Sequence, residues 1–213
     1  MALAPTAPTQ LAKAATRTTA APVAAAPTCD STFNLQRYSN ESPWNEVTNP
    51  RSRIAVGANS RMSQAVGCLI NAERARQGLP ALVAKTPLDR AAQKHARESA
   101  ALQWWDKNDG RGTHNNPSTK STPETRIRAA GYCPNPTSWA FSEITYAGAQ
   151  GRGTPSRAVN WWVNVSDRGH REIVLDPSMT HFGYWATGRS AHRDEVGLKD
   201  GGTFVVTFGR CQQ

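Results

Sequence analysis

The sequence predicts an α+β fold with a mainly antiparallel sheet, on three observations. Threonine–proline pairs that start helices recur through the first three-quarters of the chain, at Thr86-Pro87, Thr122-Pro123 and Thr154-Pro155. Period-two alternation is confined to the end, where "TFVVTFGR" sets Phe204, Val206 and Phe208 against Thr203, Val205 and Thr207. Helices mostly first and strands mostly last separate the two element types along the chain.

The 213 residues suffice for one domain with a substantial core. Residues 1–28 are rich in Ala, Thr and Pro and cannot bury enough apolar surface to offset their ordering entropy, so a disordered tail is expected. "AAPVAAAPT" has the small residues of a cleavage site, but no apolar segment precedes it and no export signal is legible. In residues 29–61, Phe33, Leu35, Tyr38, Trp44 and Ile54 are separated by Asn, Ser and Pro, which predicts an irregular arm held by Cys29. The main domain is placed at 62–213.

In "MSQAVGCLINAERARQG", Val66, Leu69, Ile70 and Glu73 share one helical face, and Gly78 ends the run. The next helix is expected from Thr86 as N-cap, with the stripe Leu88, Ala91, Ala92, His95, Ser99 and Leu102. "ETRIRAAGY" forms a short third helix closed by Gly131. After Thr154-Pro155 the apolar face is Ala158, Trp161, Trp162 and Val165, so His170 falls in the turn beyond that helix. "HFGYWATG" at 181–188 is a strand candidate, and the polar run before Gly201-Gly202 suits a hairpin loop. No apolar run approaches the ~18 residues that a membrane-spanning helix needs.

The net charge of +9 draws the chain toward anionic surfaces such as cell-wall polymers or acidic headgroups. Lys and Arg are scattered, however, and a solvated basic surface is the simpler reading. A basic patch beside a stacking surface is not visible, so no specific nucleic-acid partner is expected. Cys29, Cys68, Cys133 and Cys211 contain no CxxC pair, which disfavours a zinc ribbon or a thioredoxin-type motif. Two disulfides in an oxidising compartment fit, with four buried thiols as the alternative. Three pairings are open; Cys68–Cys133 with Cys29–Cys211 is the favoured one, the second tying both ends of the ordered chain together.

Of the five histidines, His95 lies on an apolar stripe and reads as a hydrogen-bonded core residue. His181 and His192 border a strand and a loop, with nothing nearby that calls for them. His114, in "NDGRGTHNNPSTKSTPE", and His170, in "DRGHRE", lie in loops, where sites tend to be built. Of each tryptophan pair, 104–105 and 161–162, one is expected in the core, and an exposed one is suited to stacking on a sugar ring.

Six segments in order resemble the CAP superfamily of cysteine-rich secretory, antigen-five and pathogenesis-related proteins, most closely its bacterial members. They are "CLINAERARQGLPAL", "LDRAAQKHARESA", "RIRAAGY", "SEITYAG", "AVNWWVNVSDRGHREIVLDP" and "FVVTFG", spanning about residues 62–211. The resemblance implies a three-layer α-β-α sandwich and a cleft that gathers two histidines and two acids. The histidines match His114 and His170, and one acid matches Glu143. The second acid falls on Asn164, with Glu172 or Asp167 as unsupported substitutes, which weakens a hydrolytic reading. Arg74 and Arg171 match positions of structural pairing.

Two neutral imidazoles bind a divalent ion such as Zn²⁺ weakly unless a third firm ligand joins them. A carboxylate beside a metal-bound water is the general base of a hydrolase. The expectation is therefore a secreted, monomeric binding or effector module with a cleft at His114, Glu143 and His170. Its ligand would be a divalent cation, a lipid, a sterol, another small molecule or an anionic envelope polymer. The alternative is a metal-assisted, peptidase-like hydrolase using the same residues. A purely structural network joining three loops is the rival to both.

Overall fold

A computed structural model describes Cys29, residues 53–109 and residues 112–213. The expected tail (1–28) and most of the expected arm lie outside the described residues. The elements are α1 (Arg53–Arg76), β1 (Val83–Ala84), α2 (Thr86–Leu102), α3 (Pro123–Ala129), β2 (Ser138–Gly148), α4 (Pro155–Asn160), a π-helical turn (Trp161–Val165), α5 (His170–Val174), β3 (His181–Gly188), a 3₁₀ turn (Arg193–Glu195) and β4 (Gly202–Gln212). The first helix thus starts at Arg53 rather than near 62, so the end of the expected irregular arm is helical.

The sheet order is β1-β3-β4-β2. β4 pairs antiparallel with β3 and β2, whereas β1 pairs parallel with β3, so the sheet is mixed rather than purely antiparallel. The alternation in β4 places its residues on two buried faces. Phe204, Val206 and Phe208 pack with Met62, Val66 and Ile70 of α1 and with Trp162. Val205 faces Ala92 and Ala96 of α2, and Thr207 Oγ1 donates to Leu88 O at 3.0 Å. Helices therefore cover both faces and make three layers. Gly183 is what lets α2 lie directly on β3: a Cβ there would stand 2.1 Å from the Leu88 carbonyl carbon.

Two of the three Thr-Pro signals cap as expected. Thr122 accepts from Thr125 N in a capping box, and Thr154 accepts from Arg157 N. At α2 the N-cap is Lys85, and Thr86 is already helical. Leu102, expected on the α2 stripe, is 55% exposed, because the chain turns away at left-handed Gln103; Ala96 and Ala100 complete the buried face. Val165 is likewise exposed, because the helical register widens to a π turn from Trp161 onward.

The disulfides are Cys29–Cys68 and Cys133–Cys211, which corrects the expected pairing. The sheet register explains the second bridge: Cys211 lies opposite Trp139 near the start of β2, beside the turn that carries Cys133. Arg74 is fully buried and donates to the carbonyls of Pro80, Val174 and Asp176, which fastens α1 to the end of α5. Arg171 Nη1 donates to Val163 O at 3.1 Å, a structural role as expected. No helix among the described residues is long and apolar enough to cross a membrane.

Candidate functional site

Glu143 lies mid-β2, opposite Thr207, and its side chain is almost wholly enclosed. Arg126, on α3, directs Nη2 at both carboxylate oxygens, each at 2.9 Å. His114 Nδ1 donates to Oε1 at 3.0 Å, and His95 Nε2 lies 3.9 Å from the same oxygen. Burial opposes the charged carboxylate, but His95, His114 and Arg126 outweigh it and hold the Glu143 pKa below the ordinary value. Arg126 is the permanent charge of the three.

The loop bearing His114 is fixed from several sides. His95 Nε2 donates to Thr113 O at 2.7 Å, and the Thr113 and Thr145 hydroxyls are 2.9 Å apart. Arg126 adds bonds to His114 O and Ser121 O. His95 is therefore the core histidine its stripe predicted; burial first, and then nearby positive charge, lowers its pKa despite the Glu143 carboxylate.

His170 opens α5 directly after Gly169, whose φ of 79° is a conformation glycine adopts without strain. Its Nδ1 lies 2.6 Å from Ser166 Oγ, and its ring centroid is 5.0 Å from that of Trp161. The π turn sets both contacts: Ser166 N closes it on Trp161 O, and Trp162 Nε1 anchors it to Thr145 O. Burial above all, with His114 and Arg168 nearby, lowers the His170 pKa to about 4, so the ring is neutral at pH 7.

His114 and His170 line one cleft of about 760 Å³, together with Trp105, Tyr146, Trp161, Arg168, His192 and Glu195 among others. With each Nδ1 engaged, Nε2 is the remaining nitrogen of each imidazole. Glu143 is not part of the cleft wall; it braces His114 from behind. Asn164 is exposed, bonds Asn160 at 3.0 Å and does not line the cleft, and neither do Asp167 and Glu172. Among the described residues no three His, Cys, Asp or Glu side chains are grouped to hold a metal. Two imidazoles without a third ligand do not make a closed metal centre.

The far end of the cleft was not legible in the sequence. Trp105 N donates to Ala191 O and Arg193 N to Trp105 O, which brings His192 and Glu195 to the wall. Glu195 is buried and paired with Lys107 at 3.1 Å and Arg152 at 3.2 Å. Only folding joins these positions, and no local pattern marks them. One tryptophan of each pair is core, as expected: Trp105 and Trp162 are buried, while Trp104 and Trp161 are partly exposed.

The cysteine-rich secretory protein (CAP) family model matches residues 69–208. A search of curated proteins gives no significant match. Among solved structures, the chain is similar to an extracellular protein containing an SCP domain from Bacillus anthracis, with a TM-score of 0.53 and 17% identity over 78% of this chain. It spans 45% of that protein's chain. It is also similar to an outer surface protein from Borrelia burgdorferi, with a TM-score of 0.50 and 20% identity, covering 69% of this chain and 90% of the other. At such identities these likenesses show the fold.

Proposed function

The chain belongs to the cysteine-rich secretory protein family, and from that premise we propose an extracellular binding module whose ligand sits between His114 and His170. One observation carries the reading: two imidazoles, one from a loop and one from the start of α5, line the same cleft, each with Nδ1 held by its own side-chain partner. A carboxylate or hydroxyl behind a ring fixes its orientation and leaves Nε2 to the ligand. The two disulfides suit an oxidising compartment.

A divalent ion taken up here is held by His114 and His170, and when bound it supplies Lewis-acid polarisation of a ligand oxygen. Binding is favoured over hydrolysis because Glu143 is a poor general base. Its oxygens accept from Arg126 and His114, and its pKa is depressed. Of the acids on the cleft wall, Asp106 is bound by Arg193, and Glu195 by Lys107 and Arg152.

Calorimetric titration of the metal-free protein with Zn²⁺ tests the reading, beside His114→Ala and His170→Ala. The wild type takes up one weakly bound equivalent, and each variant loses at least tenfold in affinity. Equal uptake by all three proteins contradicts it.

A further inference from the structure

We propose that the ligand of this cleft is a carboxylated sugar, with its carboxylate at Arg168 and a sugar ring against Trp161 and Tyr146; this rests on the binding reading above. The lining is the first argument. It contains no Leu, Ile, Val, Met or Phe, and Ala147 is its one aliphatic side chain. Its apolar surface therefore comes from aromatic rings, not from the aliphatic side chains that would wrap an acyl chain or a sterol. It offers aromatic rings alongside Asn108, Thr113 and charged groups, the mixture that suits a ring with an apolar face and hydroxylated edges. Trp161 and Tyr146 are both partly exposed, with centroids 5.8 Å apart, and they border the His170 end.

Charge supplies the second argument. Every carboxylate on the wall already has a partner: Asp106 has Arg193, Glu195 has Lys107 and Arg152, and Asp109 accepts from Gly112 N. Those pairs also occupy Lys107 and Arg152. Arg168 is exposed, two positions before His170, and has no acidic partner among the described residues. Arg168 is thus the one cation of the wall without an ion-pair partner among the described residues. A single negative charge matches it, which favours a carboxylate over a phosphate dianion, and the guanidinium fork fits a carboxylate in two-point geometry. The Nε2 atoms of His114 and His170 add polar contacts on the same wall.

The test is a calorimetric or fluorescence titration with two sugars of equal length, hyaluronan tetrasaccharide (acidic) and chitotetraose (neutral). The acidic sugar should bind at least tenfold more tightly. Arg168→Gln should weaken it about tenfold, the loss expected for one charge-assisted contact, and Trp161→Leu should weaken it as well. Arg90→Gln, which removes the same charge from the exposed side of α2, is the control and should leave binding unchanged. Equal binding of the two sugars, binding of neither, or equal losses from Arg90→Gln and Arg168→Gln each overturns the proposal. The Zn²⁺ titration stays a separate readout, so a cleft that binds the ion but no acidic sugar refutes only the ligand class.

Discussion

Arg126 holds Glu143 through a single nitrogen, Nη2, which lies 2.9 Å from each carboxylate oxygen and also reaches the backbone carbonyl of His114. Both side chains are almost fully enclosed. The pair joins α3, β2 and the His114 loop, so the carboxylate that the family pattern marks as a site residue serves here as a brace.

Removing one partner of such a pair leaves the other charge buried and unmatched. Arg126→Leu should therefore lower unfolding stability by about 3–5 kcal/mol in urea titrations. The double variant Arg126→Leu/Glu143→Leu should lose clearly less than the two single losses combined. Additive losses would show that the two groups are not coupled.

Non-reducing peptide mapping should recover Cys29–Cys68 and Cys133–Cys211. The second bridge closes a span of 78 positions, and replacing both its cysteines by alanine should cost about 4 kcal/mol. The cost should be smaller for the first bridge, with its separation of 39.

Acid should destabilise the protein in part through His170. Its folded pKa is about 4, whereas an imidazole in the unfolded chain titrates near ~6.5. On acidification the unfolded chain takes the proton first. The contribution to stability is complete above about pH 6.5 and is lost as the pH falls toward about 4. Calorimetry of metal-free protein between pH 7.5 and 4 should show a smaller fall in Tm for His170→Gln than for the wild type. Equal falls would contradict the assignment.

The sequence made α1 to α4 and β4 legible because each carries a local signal: a Thr-Pro start, an apolar stripe, or the alternation of Phe204, Val206 and Phe208; β3 was a strand candidate, whereas α5, which starts at His170, was expected as a turn. β2 was not read as a strand from its residues, since polar and apolar side chains mix on both its faces. The reason is physical. Glu143 and Thr145 are buried by partners on α3 and in the His114 loop, so their burial follows from tertiary pairing, not from hydrophobicity. His114 and His170 were singled out as loop histidines and then, with Glu143, from their place in a family pattern, and folding brings them together as a brace and two cleft-lining rings. The cysteine pairing was missed because it depends on the β2–β4 register, which no spacing encodes. The His192–Glu195 end of the cleft was missed because it is joined to Trp105 by backbone bonds between distant segments.

The central claim is that His114 and His170 present their Nε2 atoms to one ligand in one cleft. The direct measurement is ¹⁵N NMR of the histidine side chains during titration with Zn²⁺. The account predicts that His114 is protonated on Nδ1 in the free protein, and that the Nε2 signals of His114 and His170 shift together up to one equivalent while those of His95 and His181 stay in place. Shifts in only one of the two rings, or at different equivalents, would contradict it.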